Sequence, residues 1–165
     1  MKRIVLICLC VTLLIFCGCS QKSEYSDSVP CSEIIDIAEA QIPVNLGYET
    51  FDSDHVEYYF DGTELDDDRD LRYSVLSENI NEFGVFHAHD TESAKELLAI
   101  TEGYIEELRQ EKKAFIESYA PDEARKLEDA EARIYGKYVA YAILSEEDRE
   151  IFFDTVSAVL MQKDR

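Results

Sequence analysis

Residues 80–88 read INEFGVFHA, and a long helical pattern runs from Asp90 to Pro121; together they decide the fold. Phe83, Val85 and His87 fall on one side of an extended strand, and Gly84, Phe86 and Ala88 on the other. Apolar residues on both sides predict a central strand in a covered sheet. Asp90 or Thr91 caps the helix. Within it Leu97, Leu98, Thr101, Tyr104, Ile105, Leu108, Phe115, Ile116 and Tyr119 recur at steps of three and four residues. Pro121 ends that helix and suits the first turn of a short one over 122–130.

Toward the carboxyl end, residues 132–135, the pair Gly136-Lys137 and residues 138–144 (YVAYAIL) predict a β-hairpin. Ser145 and Asp148 approximate a capping box for a last helix striped by Ile151, Phe152, Thr155, Val156, Val159 and Leu160. Toward the amino end, Ser32 predicts the cap of a helix with Ile34, Ile35, Ala38 and Ile42 on one face, stopped by Pro43 and Gly47. Between Glu49 and Asp70 lie ten acidic residues opposed only by Arg69. There, residues 55–60 (HVEYYF) read as a short strand, Asp61-Gly62 as a turn, 64–70 (ELDDDRD) as a solvated loop, and 71–76 as another strand. The element order lacks regular βαβ alternation. It predicts an α+β fold, a mostly antiparallel sheet with the long central helix and the C-terminal helix packed on one face.

The first twenty residues are an address. Lys2 and Arg3 form a positive start, and residues 4–16 are apolar except for Thr12. That run suits a secretory signal and is too short for an ordinary spanning helix, which needs roughly 20 apolar residues. Gly18 then precedes Cys19 in an ending that resembles a bacterial lipobox, although Phe16 and Cys17 depart from its usual leucine and small residue. The resemblance implies cleavage before Cys19 and a lipid thioether on Cys19. The expected organisation is a lipoprotein signal peptide over 1–18, the lipidated cysteine and a flexible tether over 19–30 (the linker being QKSEYSDSVP), and a single α+β domain over 31–165.

Composition narrows the function. The chain carries 16 Lys+Arg against 36 Asp+Glu, and loss of Lys2 and Arg3 with the signal gives the mature chain a net charge of −22. Such a surface repels phosphate backbones, so no nucleic-acid partner is expected. Of the five cysteines, Cys8, Cys10 and Cys17 leave with the signal and Cys19 is lipidated, so only Cys31 remains and no intramolecular disulfide forms. Cys31 reads as a small apolar residue in preference to a reactive thiol at a helix start.

The strand ending GVFHAHD, the long helix, Tyr119-Ala120-Pro121, then Tyr135-Gly136-Lys137-Tyr138-Val139 and a closing helix resemble a domain-of-unknown-function family of Gram-positive bacterial lipoproteins. The similarity covers residues 80–160. It implies a surface lipoprotein and carries over no active-site residues.

Candidate chemistry is sparse. His87 and His89 point the same way on a strand beside Asp90, and with His55 they would supply part of a zinc site, yet no HExxH or CxxC accompanies them. The acidic run 61–70 lacks the spacing of an EF-hand, because Gly62 follows directly on Asp61. No GxSxG, GxGxxG or P-loop is present. No catalytic residue, metal site or cofactor is assigned. The tyrosines and phenylalanines fall mostly at core spacings in preference to a glycan-stacking platform. The expectation is a non-enzymatic, lipid-anchored binding or envelope-support domain on the extracytoplasmic face of the cell membrane. Its partners would be the membrane, through the N-terminal lipid, and an envelope protein. The alternatives are a solute- or ion-binding lipoprotein using the acidic region, or an envelope hydrolase with dispersed residues. A deep cleft with converging polar groups favours the alternatives, and a convex acidic surface favours envelope support.

Overall fold

The alternating run places Glu82–Ala88 in the middle of a sheet, paired on both sides. The computed structural model describes residues 24–42, 47–60, 65–76 and 79–162. Its elements are α1 (Cys31–Gln41), β1 (Tyr48–Thr50), α2 (Ser53–Phe60), β2 (Leu65–Ser74), β3 (Glu82–Ala88), α3 (Thr91–Tyr119), α4 (Pro121–Glu128), β4 (Glu131–Tyr135), β5 (Tyr138–Ile143) and α5 (Glu146–Gln162). The strand order is β1-β2-β3-β5-β4, and every neighbouring pair is antiparallel. The fold is α+β.

Both sheet faces are covered. On one, Phe83, Val85, Tyr138, Ala140 and Ala142 pack against Ile34, Ile35 and Ala38 of α1 and Phe152, Val156 and Leu160 of α5. On the other, Leu71, Phe86, Val139, Tyr141 and Ile143 pack against Val56 and Phe60 of α2, Leu97, Tyr104 and Ile105 of α3, and Leu127 of α4. The long helix and the C-terminal helix, expected on one face, therefore occupy opposite faces. The reason is the double-sided apolarity of β3 and β5, which a single helical layer leaves half exposed.

Local signals hold where caps and turns are explicit. Asp90 accepts from the backbone N–H of Glu92 and Ser93 and starts α3. Ser145 Oγ accepts from Asp148 N at 3.2 Å and donates to Asp148 Oδ2 at 2.8 Å, so the two expected residues meet at the start of α5. Tyr135 faces Tyr138 across the hairpin, and Gly136 adopts φ 65° at its turn, a backbone state that suits glycine.

Three expectations are corrected. Residues 55–60 belong to a helix, not a strand. Asp52 Oδ1 accepts from His55 N at 2.8 Å, and Val56 and Phe60, one turn apart, are both buried. Capping and an i,i+4 apolar pair outweigh the strand propensity of the aromatic residues. The expected loop over 64–70 is mostly strand, since β2 begins at Leu65, and its register against β3 shifts between Leu65 and Arg69. Two of its carboxylates, Asp68 and Asp70, serve the fold. Asp68 accepts from Cys31 N at 3.0 and 3.1 Å, capping α1 where Pro30 offers no side-chain bond, and Asp70 accepts from Arg72 Nη2 at 2.8 Å. Finally, part of the expected tether is packed. Tyr25 meets Tyr135 edge-on at 5.4 Å, and Ser26 N donates to Leu160 O at 3.0 Å. Val29 is fully buried, its N–H and carbonyl both bonded to the Tyr138 hydroxyl at 3.0 and 2.8 Å. The folded unit thus reaches back to Tyr25. The signal segment, Cys19, Pro43, the Asp61-Gly62 turn and Glu64 lie outside the described residues, as do the side chains of Asp66, Asp67, Phe115 and Tyr119. Among the described residues no helix is long and apolar enough to cross a membrane.

Gly84 sits opposite Leu71 on one side and Tyr141 on the other. A Cβ there would lie 2.7 Å from Tyr141 Cε1 and 2.8 Å from Leu71 Cγ. The missing side chain lets the Tyr141 ring lie along the sheet.

Candidate functional site

Glu82, at the start of β3, points to the same side as Gly84 and Phe86 and is only 8% exposed. The hydroxyls of Tyr104, from α3, and Tyr141, from β5, both donate to Glu82 Oε1 at 2.7 Å. Among the described residues Glu82 forms no ion pair. Burial pushes its carboxyl above the ordinary glutamate range, against the two tyrosine hydrogen bonds and the charge of Lys112. The phenols of Tyr104 and Tyr141 are raised too, by burial first and then by Glu82.

Glu82 and Tyr104 line a cleft of about 540 Å³ bounded by α2, α3 and residues 73–76 and 79–82. One wall is a continuous aromatic row. Tyr73 and Phe51 lie 4.6 Å apart between ring centres, Phe51 stacks on His55 at 4.0 Å, His55 meets Tyr59 at 4.8 Å, and Tyr59 meets Tyr104 at 4.9 Å. Aliphatic side chains, Leu108 and Ile116 among them, form much of the remainder. The rim near Ile80 is held in place from α4. Lys126 Nζ bridges Asn81 Oδ1 and Glu123 Oε2, each at 2.8 Å, and Glu123 accepts from Ile80 N at 3.1 Å.

The cleft is acidic in character. The Tyr73 hydroxyl donates to Glu49 at 3.1 Å, and that bond is the first cause of its raised pKa. Tyr59 is raised by burial and then by Glu111 and Glu107. Lys112, exposed, is the single Lys or Arg among the described lining residues. His55 is shifted downward by burial, and its Nε2 is buried with no hydrogen-bond partner among the described residues. The neutral imidazole is therefore the favoured form.

A second cavity, of about 300 Å³, lies between α3 and α4. Its one guanidinium is engaged in the fold: Arg109 donates to the carbonyls of Leu127, Glu128 and Ala130 at 2.9, 3.1 and 2.7 Å. It closes the end of α4, where carbonyls lack helical partners.

The residues singled out in sequence do not converge here. Cys31 is fully buried, its Sγ donates to Asp68 O at 3.3 Å, and burial followed by the Asp68 charge pushes the thiol up, away from a reactive thiolate. His87 meets the Tyr138 ring at 4.5 Å between ring centres on the α1/α5 side of the sheet, His89 is exposed, and His55 lies on the α2/α3 side. The sheet thus separates His55 from His87. Among the described residues no group of three or more His, Cys, Asp or Glu side chains is placed to hold a metal ion. Sequence reasoning missed Glu82, Phe51, Tyr59, Tyr73 and Tyr104 as one group. The available signal was a glutamate inside an otherwise apolar central strand.

Compared with family models, with curated proteins and with solved structures, the chain matches none. The resemblance to the lipoprotein family accordingly rests on the residues quoted for it.

Proposed function

We propose that the protein is a lipid-anchored, extracytoplasmic, non-enzymatic binding protein that holds a small solute in the aromatic cleft. The observation that carries this reading is the cleft itself. Its volume falls inside the roughly 300–1,000 Å³ of small-molecule sites, with apolar and aromatic walls and a few polar groups. It favours the solute-binding alternative over envelope support by a featureless acidic surface. Within the acidic run, Asp68 and Asp70 are engaged by Cys31 and Arg72. The anchor rests on the signal-like residues 1–18 and Cys19, and the family resemblance agrees with it.

Two measurements test the two halves. Cys19→Ala should accumulate as a precursor without lipid label; normal labelling refutes the anchor. The detergent-solubilised full chain, screened against small solutes by ligand-detected NMR, should show saturable one-to-one binding that Tyr59→Ala weakens. An absence of saturable binding, or equal affinity in Tyr59→Ala, refutes the site.

A further inference from the structure

We infer that the cleft takes a compact organic cation, an ammonium group on an apolar or aromatic body, with Glu82 as its counter-charge. This rests on the reading of the cleft as a binding site and specifies what that site selects.

Three observations converge. The first is Glu82, nine-tenths buried, lining the cleft, and without an ion pair among the described residues. A buried carboxylate lacking a cation is costly, and two hydroxyl donors on one oxygen compensate only part of that cost. An ammonium group in the cleft supplies both the missing charge and further N–H donors. The second is the aromatic wall of Phe51, Tyr59, Tyr73 and Tyr104 around it. Aromatic rings attract cations through their quadrupole, and their bodies offer apolar area to the ligand's carbon frame. The third is the sign of the surroundings. Glu49, Glu107 and Glu111 lie near the tyrosines of this wall, opposed among the described lining residues by Lys112 alone, on a chain of net charge −20. That field concentrates cations and rejects anions.

The upward shift of Glu82 fits the same picture, because burial disfavours the charged carboxylate and a cation beside it would favour that form. The charged and titratable groups facing it, among the described residues, are Tyr104, Glu111 and Lys112 from α3, Tyr141 from β5, and His55 and Tyr59 from α2. Affinity for the cation therefore falls as pH falls and Glu82 takes up its proton.

The experiment compares phenethylamine with phenethyl alcohol, its neutral isostere, on the full chain by titration calorimetry at matched ionic strength. N-acetylglucosamine serves as a neutral polar control. The amine should bind about tenfold tighter than the alcohol, the scale of one charge pairing with an aromatic contact. Glu82→Gln, which keeps the size and the acceptor oxygen, should bring the two affinities together. Should that variant fail to fold, the exposed Glu111→Gln should narrow the ratio, and the wild-type ratio should fall with decreasing pH. Equal or tighter binding of the alcohol, or binding of the sugar alone, overturns the cation assignment while the cleft stands as a binding site. A wild-type ratio that does not change with pH overturns the role of Glu82. If no solute of any class binds, both readings fall.

Discussion

Gly84→Ala tests the centre of the molecule. The new methyl carbon would lie 2.7 Å from Tyr141 Cε1, 2.8 Å from Leu71 Cγ and 3.3 Å from Asp70 O, where carbon atoms prefer about 3.5–4.0 Å. Neither neighbour has room to withdraw, since Tyr141 is fully buried and Leu71 is 2% exposed. Overpacking of this kind costs about 1–3 kcal/mol. Displacing the Tyr141 ring also pulls its hydroxyl from Glu82, and a buried polar group left unpaired costs about another 1–3 kcal/mol. Alanine returns about 0.4–1 kcal/mol by reducing the freedom of the unfolded chain. The expected net loss is about 2–4 kcal/mol in urea unfolding followed by circular dichroism, with an unchanged m-value. Leu71→Ala clears space for the methyl, so the double variant should be less destabilised than the sum of the two singles by more than about 0.5 kcal/mol. A loss below about 0.5 kcal/mol for Gly84→Ala, or strict additivity in the double variant, refutes the argument.

Ile105→Ala and Phe152→Ala, on opposite faces of the sheet, should each cost about 2–5 kcal/mol and add when combined, whereas half-buried Leu98 should cost less; strong coupling between the first two would contradict the two-layer core. Asp68→Ala should cost about 0.5–2 kcal/mol and speed amide exchange in the first turn of α1, while unaltered exchange there would show that the cap is idle. Burial raises Glu82, so the folded state keeps that proton to higher pH than the unfolded chain does, and this group's contribution to stability declines as pH climbs from the ordinary glutamate range through the raised value. Glu82→Gln escapes that decline, and the wild type's advantage over it should shrink from acid to neutral pH; a pH-independent difference sinks the assignment. Sodium chloride should raise the melting temperature nearly as much as calcium chloride at matched ionic strength, and a saturating one-to-one calcium titration would contradict this.

Legibility in the sequence followed how local the deciding interaction was. The long helix, the hairpin and the last helix announce themselves through Asp90, Gly136 and Ser145, whose partners lie within three residues or in the adjoining turn. The segment 55–60 misled because Tyr58, Tyr59 and Phe60 favour strands, while the Asp52 cap lay three residues before His55 and outside the run. Asp68 looked solvated because its partner, the start of α1, is 37 residues away. The layering was half legible: the two-sided apolarity of β3 implied covered faces, but nothing in the stripes of α3 and α5 says which face each takes. The cleft was invisible for the same reason. Its members come from residues 51–59, 73, 82 and 104, and only the antiparallel return of β2 along β3 brings them together.

The bond between Ser26 N and Leu160 O closes the folded unit nearly end to end. The apolar face of α1, made early during synthesis, finds its cover in Phe152, Val156 and Leu160, which are made much later. Contacts of such long sequence separation form late, because the intervening chain must first be ordered. A chain emerging amino-end first thus carries Ile34, Ile35 and Ala38 uncovered until α5 arrives. Loss of the last turn of α5 would take Leu160 from that surface and break its bond to Ser26, leaving Tyr25 and Val29 held by Tyr135 and Tyr138. Burial of the apolar face of α1 thus depends on α5.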